Sequence, residues 1–254
     1  MINDPNTKIN GVRYLTHYEP VFSVLYTEIR EKEGRILGDH EVKMLPNASI
    51  DNPNKNEWIL RKRSCDRFLN HLKNKTKSKS ILDIGCGNGW FSNTMASVSK
   101  EYSVIGLDIN VMELEQGARV FKKDNLEFVY GDIFKLEKDL TAQFDIITLN
   151  ACIQYFRDVK VLILILKNFL RPNGEIHIID SPFYKISEIE DAKKRSLEYY
   201  QKMGVSKMGD QYYHHSIESI KEFEVMYHLS KSFINRLIKK NDSPFMWLLY
   251  IKTV

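Results

Sequence analysis

The sequence predicts an α/β protein, a mostly parallel seven-stranded sheet with helices on both faces in three layers. Three observations carry that expectation. Between residues 80 and 180, five short apolar runs alternate with helix-compatible segments, the order of a βαβ chain. The first run opens into a turn with alternating glycines, Gly85, Gly87 and Gly89, where the backbone can turn sharply and lie close to a ligand. Polar residues stand at or just past the ends of later runs, at Asp108, Asp132 and Asn150, where open α/β sheets hold ligands.

Taken in order, residues 1–56 form an N-terminal helical cap or lid. A helix is expected over 21–32, where Val21, Val24, Leu25 and Ile29 recur at helical spacing, and turn residues fill 46–54. Tyr14, His17 and Tyr18 are candidate polar contacts of such a lid. Residues 57–254 are expected to be the main domain. It begins with a basic helix over 58–72, and Lys73, Lys75, Lys77 and Lys79 then read as a solvated loop.

The five strands are expected at 80–84, 104–108, 126–130, 144–149 and 175–180, with helices at 90–98, 111–123 and 159–170. The run Val161 to Leu166 suits a strand equally well by periodicity, but a parallel sheet needs a crossover there, which decides for a helix. A substrate-lining insertion is expected over about 181–222, with a charged helix at 187–202, an aromatic- and histidine-rich loop at 203–215 and a capping box from Ser216. Sixth and seventh strands are expected at 223–229 and 245–252, with a helix at 230–240 between them.

At 254 residues the chain can bury one sizeable core, and a net charge of +4 does not call for a nucleic-acid partner. Three cysteines, Cys65, Cys86 and Cys152, form no CxxC pair and read as reduced thiols of a cytoplasmic protein. The N-terminus lacks the pattern of a signal peptide, and no apolar run is long enough to span a bilayer.

The stretch Ser80-Ile-Leu-Asp-Ile-Gly-Cys-Gly-Asn-Gly-Trp-Phe91, followed by Val104-Ile-Gly-Leu-Asp108, Gly131-Asp132-Ile133 and the strand ending at Asn150, resembles the class I S-adenosylmethionine-dependent methyltransferases. The match covers residues 80–180. It implies a Rossmann-like fold, S-adenosylmethionine as cofactor and S-adenosylhomocysteine as product. It also implies that backbone around Gly85, Cys86, Gly87, Asn88 and Gly89 holds the cofactor's amino-acid tail and ribose. Asp83 would reach the cofactor's amino group and Asp108 the ribose hydroxyls. Asp132 would accept from the adenine amino group, Ile109 and Ile133 would pack on the ring, and Asn150 would offer its backbone to the tail. Each acid also has a plain structural reading, as a cap, a turn residue or a surface strand end.

A nicotinamide dinucleotide is the rival cofactor, but its fingerprint needs G-x-G-x-x-G, and here Trp90 follows Gly89. Methyl transfer is in-line displacement, which asks for alignment, exclusion of water and at times a base. His214, His215 and Tyr213 are the candidate catalytic residues. Gln154, Tyr155, Tyr212 and Tyr18 are the candidate acceptor contacts. His177 reads as a satisfied sheet histidine. The segment Asn150-Ala-Cys-Ile153 lacks the Asn/Asp-Pro-Pro-aromatic signature of exocyclic-amine methylation, and no carboxylate cluster suggests a metal. The expected acceptor is an oxygen or nitrogen of a small molecule, with no membrane partner. Protein or RNA methylation, and a non-catalytic binding module, are the alternatives.

Overall fold

The structure, a computed structural model, describes residues 7–75, 79–136, 140–229 and 242–253. Its strands are β1 (Lys8–Ile9), β2 (Val12–Tyr14), β3 (Ser80–Ile84), β4 (Ser103–Asp108), β5 (Leu126–Tyr130), β6 (Phe144–Asn150), β7 (Leu170–Ser181), β8 (Glu224–Tyr227) and β9 (Met246–Ile251). Its helices are α1 (Val21–Lys32), α2 (Asp39–Met44), α3 (Lys55–Lys73), α4 (Trp90–Ala96), α5 (Val111–Val120), α6 (Val159–Phe169) and α7 (Ile189–Lys202). The strands form one sheet in the order β1-β2-β5-β4-β3-β6-β7-β9-β8. From β2 to β7 every pairing is parallel, and β9 enters antiparallel beside β7. The seven expected strands are all present, and the helix expected over 230–240 lies outside the described residues.

Side-chain alternation along the strands builds the three layers. Ile81 packs with Phe68, Phe91 and Met95 of α3 and α4 on one face. Leu82 and Ile84 pack with Leu162, Ile163 and Leu166 of α6 on the other. Each of these side chains contributes roughly 1.5–3 kcal/mol by leaving water. The crossover helix α6 forms as expected, and the Asp158 carboxylate caps it by accepting from the Lys160 and Val161 amides. Ser216 likewise accepts from the Glu218 amide, but residue 219 is serine, so the reciprocal half of a capping box is missing and only a short 3-10 turn follows.

Two corrections follow. The N-terminal segment is not only helical. Residues 8–14 form a hairpin whose second strand lies parallel to β5, with Val12 and Tyr14 buried and Arg13 paired to Glu127 at 2.8 Å. This covers what would otherwise be a bare sheet edge. Gly89 serves packing rather than ligand approach. It caps α4 at φ +74°, and a Cβ there would stand 2.1 Å from the Phe128 ring.

The lower half of β7 carries a buried polar network. Trp247 Nε1 donates to His177 Nδ1 at 3.1 Å, which fixes the imidazole proton on Nε2, and Nε2 donates to Glu175 Oε2 at 3.1 Å. His71 Nε2 lies 3.1 Å from the same oxygen, and Lys75 holds the other. Burial alone would raise the Glu175 carboxyl; hydrogen bonds from His177, His71 and Lys75 hold it far below its ordinary value. His71, Glu175 and His177 have the spacing of metal ligands. His177 has one nitrogen accepting and the other donating, so it offers no lone pair to a cation. It is a satisfied sheet histidine.

Candidate functional site

A cavity of about 460 Å³ opens at the carboxyl ends of the parallel strands, where the topology reverses around β3 and ligands bind in such sheets. Its floor is the turn after β3. Gly85 and Gly87 adopt φ +64° and +54°, and a Cβ on Gly85 would meet Cys152 at 2.7 Å. Asp108 closes this turn. Its Oδ2 accepts from the Gly87 amide at 2.8 Å, and its Oδ1 accepts from the Ile109 and Asn110 amides at 2.7 and 2.8 Å. Asp83 accepts from Ser92 and Thr148 hydroxyls at 2.6 and 2.7 Å. Burial outweighs those bonds and lifts its pKa to about 6. Burial, followed by the nearby Asp108 charge, raises Glu113 to about 7.

The sequence expectations divide on this cavity. Asp83, Gly85, Cys86, Gly87, Asn88, Asp108, Ile109, Asp132, Ile133 and Asn150 all line it, as do Gln154, Tyr155 and Tyr212. Asp132 also caps the 3-10 turn after β5 by accepting from the Phe134 amide at 3.1 Å. Five expectations are not among the lining residues. Gly89 is one, for the packing reason above. Tyr18 is 44 % exposed with its ring against Tyr130. Tyr213 donates its amide to the Gln154 carbonyl. His214 Nε2 is 2.9 Å from Ser196 Oγ, and His215 Nε2 donates to the Ile153 carbonyl at 3.2 Å. Both histidines face neighbouring segments, and burial lowers the pKa of each. Of the other lid candidates, Tyr14 is a core residue and His17 lines a second, neighbouring cavity.

Beside the cavity α1 packs on the insertion. Ile29 of α1 packs with Tyr200, Val205 and Met208 of the insertion, and Phe22, Tyr26, Tyr155 and Tyr212 gather around them. Arg30 reaches through this cluster, donating to Tyr155 Oη and to Glu33, both at 2.6 Å. Glu57 pairs with Arg35 and Arg61, each at 2.8 Å, and these bonds outweigh burial to hold its pKa at about 2. Trp58 stands edge-on to Trp90 beside them.

Sequence reasoning missed four lining residues of consequence, Arg30, Glu57, Glu113 and Asp180. Only Asp180 carried a local sign, an acid at the end of a parallel strand, as at Asp108. Its φ is +48°, and the register of β7 against β9 shifts between Ile178 and Ser181. Ala151, just past the end of the neighbouring strand β6, is also left-handed, at φ +56°. Left-handed non-glycine residues are costly and collect at functional sites.

The glycine cradle, the closed turn at Asp108 and the unpartnered buried Asn150 Oδ1 suit a polar adenosine-bearing ligand with an amino-acid tail. Residues 75–232, more than half the chain, match the family described as "Methyltransferase domain". The chain belongs to this family of S-adenosylmethionine-dependent class I methyltransferases. It is 31 % identical over 103 residues to malonyl-[acyl-carrier protein] O-methyltransferase of Halalkalibacterium halodurans, covering 39 % of this chain and 38 % of that one. It is 29 % identical over 129 residues to ribosomal RNA small subunit methyltransferase C of Haemophilus influenzae, covering 48 % and 38 %. The chain thus spans about two-fifths of the length of these relatives. Haemonchus contortus phosphoethanolamine N-methyltransferase 2, solved with phosphomonomethylethanolamine and S-adenosylhomocysteine, shares the fold. Its TM-score is 0.56 at 18 % identity, over 87 % of this chain and 62 % of that one. No helix among the described residues is long and apolar enough to cross a membrane.

Proposed function

We propose that the protein transfers a methyl group from S-adenosylmethionine to an oxygen or nitrogen of a small molecule. The observation that favours this reading is the aromatic lining beside the glycine turn, where Phe22, Tyr26, Tyr155 and Tyr212 meet at the junction of α1 and the insertion and offer a surface of small-molecule size. When bound, S-adenosylmethionine supplies an activated methyl carbon. The chain's work is to hold, align and exclude water. In this reading Asp108 accepts from the ribose hydroxyls and Asp132 from the adenine amino group. Ile109 and Ile133 flank the ring, and Asn150 and the Gly85–Gly87 backbone hold the tail. Asp83, held by the Ser92 and Thr148 hydroxyls, reaches the cofactor's amino group through water. Three free, buried cysteines favour a reducing compartment, the cytoplasm.

The test is calorimetric titration with S-adenosylhomocysteine beside NADH, then transfer of labelled methyl to a panel of small amines, alcohols and acids. The expected result is micromolar binding of S-adenosylhomocysteine alone, and turnover on members of the panel. Turnover only on protein or RNA fractions would overturn the acceptor reading. Binding without turnover on any acceptor would favour a non-catalytic module.

A further inference from the structure

Six acids line the cavity, and in five of them every open oxygen has a partner. Ser92 and Thr148 take Asp83, Arg35 and Arg61 take Glu57, and the Phe134 amide and Lys135 take Asp132. Asp108 accepts from three amides. Asp180 has one oxygen held by Ser64 and Ser243 and the other closed off inside the protein. Glu113 is the exception. Asn110 Nδ2 donates to its Oε2 at 3.1 Å, but its Oε1 has no donor among the described residues and is not one of the closed-off atoms. The carboxylate lies along the floor of the cavity, where a Cβ on Gly87 would stand 3.3 Å from Oε2 and 3.6 Å from Oε1.

The neighbouring acid is nearly spent. A carboxylate offers roughly four acceptor positions. Asp108 gives three to the Gly87, Ile109 and Asn110 amides, so it has room for one more donor unless the turn opens. A ribose presents two hydroxyls on adjacent carbons. The same two residues join both acids. Gly87 gives its amide to Asp108 and its bare face to Glu113, and Asn110 gives its amide to Asp108 and its side chain to Glu113. Two carboxylates flanking one glycine repel each other. Burial, followed by the Asp108 charge, has already pushed Glu113 up to about 7. Donors arriving between the two acids would relieve that cost.

Building on the methyl-transfer reading above, and refining the part it gives to Asp108, we propose that Glu113 is the second acid of the ribose subsite. Asp108 takes one ribose hydroxyl, and Glu113 Oε1 takes the other. Glu113 positions the cofactor and touches none of the reacting atoms. The pair selects a nucleoside with both hydroxyls free, since a phosphate on either would bring negative charge against two carboxylates.

Calorimetry tests this without knowledge of the acceptor. The ligands are S-adenosylhomocysteine, its 2′-deoxy and 3′-deoxy forms, and 5′-methylthioadenosine, which keeps the ribose and lacks the amino-acid tail. Glu113→Met keeps the length of the side chain and removes its oxygens. It is expected to weaken S-adenosylhomocysteine and 5′-methylthioadenosine roughly tenfold, the worth of a hydrogen bond to a charged group. One deoxy form, the one lacking the hydroxyl that Glu113 holds, is expected to bind the variant within about twofold of wild type, while the other weakens like its parent. Equal weakening of all four ligands would make Glu113 a structural or purely electrostatic residue. Weakening of S-adenosylhomocysteine but not of 5′-methylthioadenosine would assign it to the tail. Either result, or no change in any ligand, would overturn the inference. If Glu113→Met does not fold, the same comparison is made with Glu113→Gln. Failure of wild type to bind S-adenosylhomocysteine would instead overturn the methyl-transfer reading, and this inference with it.

Discussion

Glu175 and Asp180 lie five residues apart on β7, are equally buried, and are treated in opposite ways. Glu175 meets His71, His177 and Lys75, and both its oxygens are matched. Asp180 has one oxygen matched twice and the other not at all. Burial raises the pKa of Asp180, whereas partners overcome burial at Glu175. The difference separates two uses of a buried acid. Both tie α3 to the sheet, but a fully bonded acid stays ionised there, whereas a half-bonded one is pushed by burial toward its neutral form.

The largest expected effect is on the structural side of that contrast. Glu175→Gln should destabilise the fold by about 3 kcal/mol, since it breaks a buried charged network and leaves its partners behind. Urea unfolding at neutral pH measures this, and a loss below about 1 kcal/mol would break the comparison. The pH dependence has a definite sign. Glu175 titrates lower in the folded protein, so its contribution is present above the unfolded value near ~4.3 and is lost as pH falls through the folded value. The variant's deficit should therefore be widest at neutral pH and narrow on acidification.

Asp180→Asn should behave in the reverse manner. Its stability is expected within about 1 kcal/mol of wild type, because the amide keeps an acceptor for Ser64 and Ser243 and removes an unpaired charge. The folded pKa of Asp180 is raised, so the stabilisation from its protonation is present below ~3.9 and lost as pH rises through the folded value. Relative to wild type, the variant should gain stability over that rise. A thermal-unfolding series across pH separates the two residues, and parallel profiles would show that the distinction is false.

The contrast also marks what the sequence could disclose. The strand cores were legible because each buried run is apolar on both faces, and α6 was resolved by the need for a crossover. Gly85, Gly87 and Asp108 were legible because loop and acid are set by local spacing. β1 and β2 hold two and three residues, too short for any periodicity, and α2 holds six, mostly polar. Arg30 and Glu57 belong to helices whose charged residues look like solvated faces until the fold brings Tyr155 to Arg30, and Arg35 to Glu57. Asp180 depends on a bulge, a backbone event with no composition of its own. The run Tyr212 to His215 misled for a related reason. Its composition suits a catalytic loop and a packed one equally, and only the fold decides which way each ring turns. Tyr212 turns to the cavity, and His214 and His215 turn away from it.

That last division gives the smallest predicted effect and sharpens the comparison. His214 is not among the residues that line the cavity, so it is expected to be dispensable to proton transfer. Its Nε2 pairs with Ser196 and its ring lies beside Tyr184 and Tyr212, so His214→Ala removes one partly buried hydrogen bond and two ring contacts. The expected cost is about 1 kcal/mol of stability. S-adenosylhomocysteine affinity should not change, and methyl transfer to any acceptor found in the panel should slow by less than about threefold. The pH profile of that transfer should also keep its shape, because a group outside the cavity takes no proton from the acceptor. A hundredfold slower rate with a displaced acid limb would return the base to the 212–215 segment.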